Sequence, residues 1–159
     1  MSIIAADLMQ QAIKPTLEYL GIHSPAAEKL LLGTAAQESG FDPFCRSNQG
    51  IGIYQITSEQ HRSIWDSYLA FIPDLASKVR GLASQHQFLK NPDQELAVNL
   101  SYSTAIAWII YLQSDHLLPE ADDADGLGLF WKNNFSHPQN DKSNQEKFSR
   151  WIRDHCAAA

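Results

Sequence analysis

The chain has 159 residues, 44% hydrophobic and 19% charged, a balance that suits one globular domain burying its own core and excludes a disordered or disulfide-stapled chain. A net charge of -6 with no basic stripe argues against nucleic acid as a partner and against capture by anionic surfaces. No run of about 18 apolar residues occurs, so no membrane span is expected. The opening MSIIAADLMQQAIK has neither the basic region nor the small-residue cleavage site of a signal peptide. Cys45 and Cys156 stand far apart with no CxxC or Cys/His cluster, which excludes a recognisable zinc site; free buried thiols are expected, a single disulfide being the alternative.

In chain order, the apolar spacing of Ile4, Leu8, Ala12, Ile13, Leu17 and Leu20 predicts a helix over residues 3–20, with Pro15 as a kink and Gly21 as its stop. Ser24 and Pro25 read as N-cap and first helical position of a second helix that runs to Ser39, with Gly40 ending it. Residues 46–57 are the one expected sheet, Ile51, Ile53, Gln55 and Thr57 alternating with Gly52, Tyr54 and Ile56. A capping box from Thr57 to Gln60 opens a helix carrying Ile64, Trp65, Tyr68 and Leu69. Asp74 is expected to cap the next, with Leu75, Val79, Leu82 and Leu89 along it. Asn91-Pro92 then opens NPDQELAVNLSYSTAIAWIIYLQ, apolar nearly all round at its far end and so expected to be the central buried helix. An acidic loop, a short helix around GLFWKNNF and a last helix opened by a Ser143–Glu146 capping box, with Phe148, Trp151 and Ile152, complete a mainly α (α+β) single domain.

The candidate chemistry sits where the second helix meets the sheet. Ala27, Leu31, Thr34 and Glu38 share one helix face, so Glu38 points the way core residues point. It stands in the last turn, where apolar neighbours and the helix dipole both disfavour an anion. A carboxylic acid that keeps its proton is what glycosidic-bond cleavage needs at the leaving oxygen. The competing reading is a solvated glutamate at a frayed helix end. What favours the first is GIGIYQI: glycine weakens a strand unless a ligand or another backbone must come close, so Gly50 and Gly52 read as clearance for a polymer, with Gln55 offering donor and acceptor.

Glu38-Ser39-Gly40-Phe41-Asp42-Pro43 resembles the Glu-Ser motif of the soluble lytic transglycosylases, members of the lysozyme-like superfamily. Gly50-Ile51-Gly52-Ile53-Tyr54-Gln55-Ile56 is similar to that family's glycine-rich Gln motif, with Ile-Tyr in place of Leu-Met, and Asn91 to Leu112, with Asn99 inside it, fits the third region loosely. The family's Ala-Tyr-Asn-Ala-Gly-like stretch is absent; GLFWKNNFSHP, with Trp131 and Asn133, is the nearest candidate for that wall of the cleft. The resemblance spans roughly residues 25–150.

It implies a lysozyme-like fold with a small hairpin beside the cleft, no metal and no cofactor. It implies Glu38 as sole general acid and base, cleaving the β-1,4 bond from N-acetylmuramic acid to N-acetylglucosamine as the muramic C6 hydroxyl closes on C1. Ser39, Gln55 and Gly52 are expected near the sugar, and Tyr54, Tyr102 and Trp131 as rings that stack on it. Asp42 reads as a turn residue and Asp66 as part of a solvated face, so a partner carboxylate is missing, which favours a single-acid mechanism. The acids Glu120, Asp122, Asp123 and Asp125 do not form a calcium loop, because Ala121 and Lys132 would fall at its end positions. The expected partners are peptidoglycan glycan strands and other virion tail or hub proteins. Without a signal peptide, the expected location is a phage virion, or the periplasm or wall after delivery. A hydrolytic muramidase and a catalytically silent virion protein of the same fold remain the alternatives.

Overall fold

The computed structural model describes residues 2–45, 49–135 and 142–156. These are mainly helical, with one small antiparallel sheet. Helix α1 (Ala5–Leu8) passes through a π turn, Met9–Ile13, into α2 (Lys14–Tyr19). The π turn precedes Pro15, whose ring has no N–H to donate and crowds the carbonyl four residues back, so the expected kink takes the form of a widened turn. Past α2, Ile22 N–H donates to Leu17 O (2.8 Å) and Gly21 N–H to Glu18 O (3.0 Å), the paired bonds of a Schellman stop. Helix α3 (Pro25–Ser39) begins and ends as its sequence predicts: Ser24 Oγ accepts from Ala27 N–H (3.1 Å), and Gly40 takes the left-handed conformation at φ 61°.

The sheet is narrower than expected. β1 (Gly50–Ile51) pairs with β2 (Ile56–Thr57), and residues 52–55 form the turn between them rather than strand. Residues 46–48 of the expected sheet lie outside the described residues. Helix α4 (Ser58–Ser67) starts on the predicted capping box, with Thr57 and Gln60 bonded reciprocally.

Three boundaries differ further on. Helix α5 (Pro73–Leu82) starts on Pro73, not on an Asp74 cap, and the expected single helix stops at Ala83 before resuming as α6 (Gln85–Lys90); Leu89 points to solvent. The long helix from Asn91 is also broken. A 3-10 turn (Pro92–Gln94) and α7 (Glu95–Val98) precede Asn99, which is extended and caps α8 (Leu100–Leu112) by accepting from Tyr102 N–H (3.0 Å). The two segments meet at 105°. Asn and Ser near a helix start offer the backbone side-chain partners outside the helix, so a local bond at Asn99 outweighs an uninterrupted apolar pattern. No single helix among the described residues is long and apolar enough to cross a membrane.

Helix α9 (Ala124–Asn134) is capped by Asp123, whose Oδ1 accepts from Gly126 N–H (2.9 Å), and α10 (Lys142–His155) already includes Lys142, so Ser143 lies inside it rather than at its cap. Helix α8 is central, as its composition predicts: α2, α3, α4 and α5 all pack on it, and its residues from Tyr102 to Ile109 are buried. Helices α9 and α10 pack together and against α3. Gly33 makes this possible, since a Cβ there would come 2.7 Å from the Phe148 ring of α10. The C-terminal end of α3 is thereby held between the hairpin on one side and α9 on the other.

Candidate active site

Glu38 occupies the last turn of α3 and is half-buried. Two consecutive left-handed residues, Gly40 and Phe41 (φ 67°), turn the chain sharply after it. For Phe41 that conformation costs on the order of 1 kcal/mol and persists only where surroundings impose it. Ile3 N–H donates to Phe41 O (2.7 Å) and the Phe41 ring packs on Trp151 at 5.6 Å, so the N-terminal segment and α10 both hold the turn.

Ser39 joins the helix end to the hairpin. Its hydroxyl donates to Ile53 O at 2.6 Å, with Ala35 O a longer acceptor at 3.2 Å, and it accepts from Asp42 N–H at 3.2 Å. All its close partners are backbone, so its first role is to set the spacing between α3 and the β turn. Asp42 behaves as the turn residue expected: its Oδ1 accepts from Phe44 N–H (2.9 Å). Asp66 is exposed on α4.

The carboxylate itself is reached from α9. Trp131 Nε1–H donates to Glu38 Oε2 at 3.2 Å, and the indole is fully buried, stacked on Phe148 with centroids 5.3 Å apart. Trp131 therefore presents no ring face to a sugar. Its contribution to the site is an N–H donor that fixes one carboxyl oxygen of the acid. One turn before Glu38, Thr34 Oγ1 donates to Leu30 O (2.6 Å) and accepts from Tyr111 Oη (2.7 Å). Burial pushes the Tyr111 phenol well above its ordinary pKa; the Thr34 bond opposes that, and the charge on Glu38 adds to it. A neutral phenol from α8 thus lies within the electrostatic reach of the acid. Tyr111 was not legible as a site residue, since nothing local links it to a residue 77 positions away.

The glycine-rich turn is built differently from its expected role. Gly52 has φ 79°, and a Cβ there would fall 1.9 Å from Leu96 O. The close approach is real, but the backbone that needs the room is the chain's own α7, not a glycan. At Gly50 a Cβ would strike Gln55. Gln55 is buried and left-handed (φ 52°); its Nε2–H2 donates to Gly52 O (2.8 Å) and Cys45 O (3.0 Å), closing the turn and tying it to the 41–45 loop. The amide holds the scaffold rather than facing a ligand.

Two of the expected stacking rings are core residues. Tyr54 is fully buried and bonds Thr104 Oγ1 at 2.9 Å. Tyr102 is buried too; its Oη accepts from Trp65 Nε1–H (2.8 Å) and meets His61 Nε2 (2.6 Å), while His61 Nδ1 meets Asp93 Oδ1 (2.8 Å). Burial raises both phenols above their ordinary values, with hydrogen bonds from Thr104 and Trp65 respectively acting against it. Alternation placed Tyr54 in a strand, but the residues around it form a turn pressed onto α8. Cys45 and Cys156 are free thiols as expected, but half-buried rather than buried.

Asn133 is exposed on α9 and does line an open feature. A groove of about 450 Å³ runs between α4, the end of α8 and the end of α9, lined by Thr57, Gln60, Ser63, Gln113 and Asn133 among others. Glu38 is not among its lining residues, but the hairpin and α9, which contact Ser39 and Glu38, both continue into it. Residues 136–138 of the GLFWKNNFSHP stretch lie outside the described residues.

The chain matches no known family model. Neither a curated protein nor a solved structure matches it.

Proposed function

We propose that this is a peptidoglycan-cleaving enzyme with a lysozyme-like arrangement, a lytic transglycosylase in which Glu38 is the general acid and then the base. The observation that carries the reading is the placement of Glu38: a half-buried carboxyl at a helix end, beside a tight hairpin, with one oxygen held by the buried Trp131 N–H. That placement suits proton transfer to a glycosidic oxygen. As the C1–O bond breaks, the proton of Glu38 passes to the leaving N-acetylglucosamine oxygen and positive charge develops at C1 of the muramic ring. The new carboxylate, supported by the Trp131 N–H, then takes the proton of the muramic C6 hydroxyl as that oxygen bonds to C1. Asp42 is engaged in its turn and Asp66 stands on a different helix, which supports a mechanism with one acid. The groove rich in hydroxyl and amide side chains beyond α9 supports a hydroxylated polymer as substrate.

The half-exposed position of Glu38 also leaves it within reach of water, which favours hydrolysis as the second reading. Mass spectrometry of released muropeptides separates the two, because an anhydro product is one water lighter. Glu38→Gln keeps the shape and removes the proton, so wall-degrading activity should fall at least about 10²-fold; equal activity in the two proteins would sink the assignment. A chain with net charge -6 gains nothing from free diffusion on an anionic wall, which supports delivery as part of a particle such as a phage tail or baseplate hub. Absence of the protein from purified virions would end that part of the proposal.

A further inference from the structure

A second polar site lies around the bend between α7 and α8. A cavity of about 440 Å³ is lined there by Gln11 of the π turn, Ser84, Gln87 of α6, Glu95, Asn99 and Ser101. Glu95 is 2% exposed, one of the most deeply buried charged groups in the chain. Ser84 N–H donates to its Oε1, and Asn99 Nδ2–H reaches the same atom at 3.4 Å. Both bonds use Oε1. Among the described residues Oε2 has no hydrogen-bond partner. Ser84 Oγ, at the same cavity, is buried and also has none. Asn99 is fully engaged, donating to Leu82 O (2.8 Å) and accepting from Tyr102 N–H.

Oε2 therefore takes no donor from the described residues and opens onto the cavity, where a cation answers a carboxylate oxygen better than a neutral donor does. The lining includes no Lys or Arg. The guanidinium of Arg80 is committed elsewhere, to Ser84 O (3.5 Å) and the Phe88 face (4.3 Å). The geometry also discriminates between cations. A guanidinium binds best through both carboxylate oxygens, and Oε1 is already occupied. An ammonium is a point donor that needs only Oε2. Ala12, Val98 and Leu100 supply apolar wall beside this oxygen. From the open Oε2 of the largely buried Glu95 and this apolar flank, we infer that the cavity binds a primary alkylammonium group, carried either by a small aliphatic amine or by a lysine side chain. The site is independent of Glu38 and of any activity there.

The test is a titration of the isotope-labelled full chain by heteronuclear NMR, with pentylamine and with N-acetyl-lysine methylamide. The amide signals of Ser84, Gln87, Glu95, Asn99 and Ser101 should shift saturably with either amine, and the tighter of the two names the source. Pentanol and butylguanidinium should bind at least about tenfold more weakly, the difference a charge-assisted hydrogen bond makes. Glu95→Gln should weaken amine binding at least about tenfold. Because Glu95 also supports the Ser84 N–H, the fold of Glu95→Gln is checked by circular dichroism, and the comparison with pentanol and butylguanidinium on the unaltered chain decides the question if that variant unfolds. No saturable shift with either amine would overturn the inference. So would pentanol or butylguanidinium matching the amines, or undiminished affinity in folded Glu95→Gln.

Discussion

Gly52→Ala tests whether the glycine-rich turn serves the chain's own packing or leaves room for a ligand. Two terms oppose an alanine at this position. The first is conformational: φ is 79°, and a left-handed non-glycine residue costs about 1–2 kcal/mol. The second is steric: the added Cβ would lie 1.9 Å from Leu96 O, well over 1 Å inside the usual contact of roughly 3.2 Å, and that oxygen belongs to backbone. Relieving it means separating the hairpin from α7, an overpacking strain of about 1–3 kcal/mol or more. Gly21 is the control. It has nearly the same φ, 80°, but nothing within 4 Å of an added Cβ. Gly21→Ala should therefore lose only the conformational part, and Gly52→Ala should lose at least about 3 kcal/mol, a drop in Tm on the order of 6–12 °C for a chain of this size. Urea denaturation and thermal melts followed by circular dichroism read both. If Gly52→Ala proves no less stable than Gly21→Ala and loses only wall-degrading activity, the clearance belongs to a ligand and the packing argument fails.

Trp131→Phe keeps an aromatic ring against Phe148 but removes the N–H that meets Glu38, so activity should fall about tenfold, the low end for a bond to a charged group that is half-exposed; unchanged kcat would show that the indole does not act on the acid. Tyr102→Phe leaves His61 Nε2 and Trp65 Nε1 facing a phenyl edge and should cost about 2 kcal/mol, measured as a shift in the urea midpoint. Stability should also fall at alkaline pH. Tyr54, Tyr102 and Tyr111 all have raised folded-state pKa values because they are buried. The unfolded phenols ionise from about pH 10 while the folded ones stay neutral, so the unfolded state then binds fewer protons. Their contribution is full below that pH and is lost as pH rises toward each folded value, by up to about 1.4 kcal/mol per unit for each residue. Denaturation midpoints should hold from pH 8 to near pH 10 and decline above it, and a flat profile up to pH 11 would mean that these rings are not buried in solution.

Much of the local architecture was legible because its causes are local. The Ser24 cap, Pro25 start and Gly40 stop of α3 need only neighbours in sequence, as does the Thr57–Gln60 capping box. The apolar surround of α8 announced a central helix for the same reason. The position of Glu38 at the end of α3 follows from the count of turns alone.

Where elements break, and what faces what, depended on partners far along the chain. The stop at Ala83–Ser84 is met by Glu95, eleven residues on. Gln55 and Tyr54 read as a binding strand because alternation cannot reveal that the segment is a turn pressed against α8. Gly52 did signal a close approach, but glycine says only that something is near, and tertiary packing made that something Leu96. Sequence by itself determined where the helices lie, the Ser24, Gly40 and Thr57–Gln60 caps, and the acid at the end of one helix, since these rest on periodicity and on bonds within a few residues. Only tertiary structure decided that Trp131 holds the acid and that the expected stacking rings belong to the core, because each rests on a contact whose partners come from separate elements.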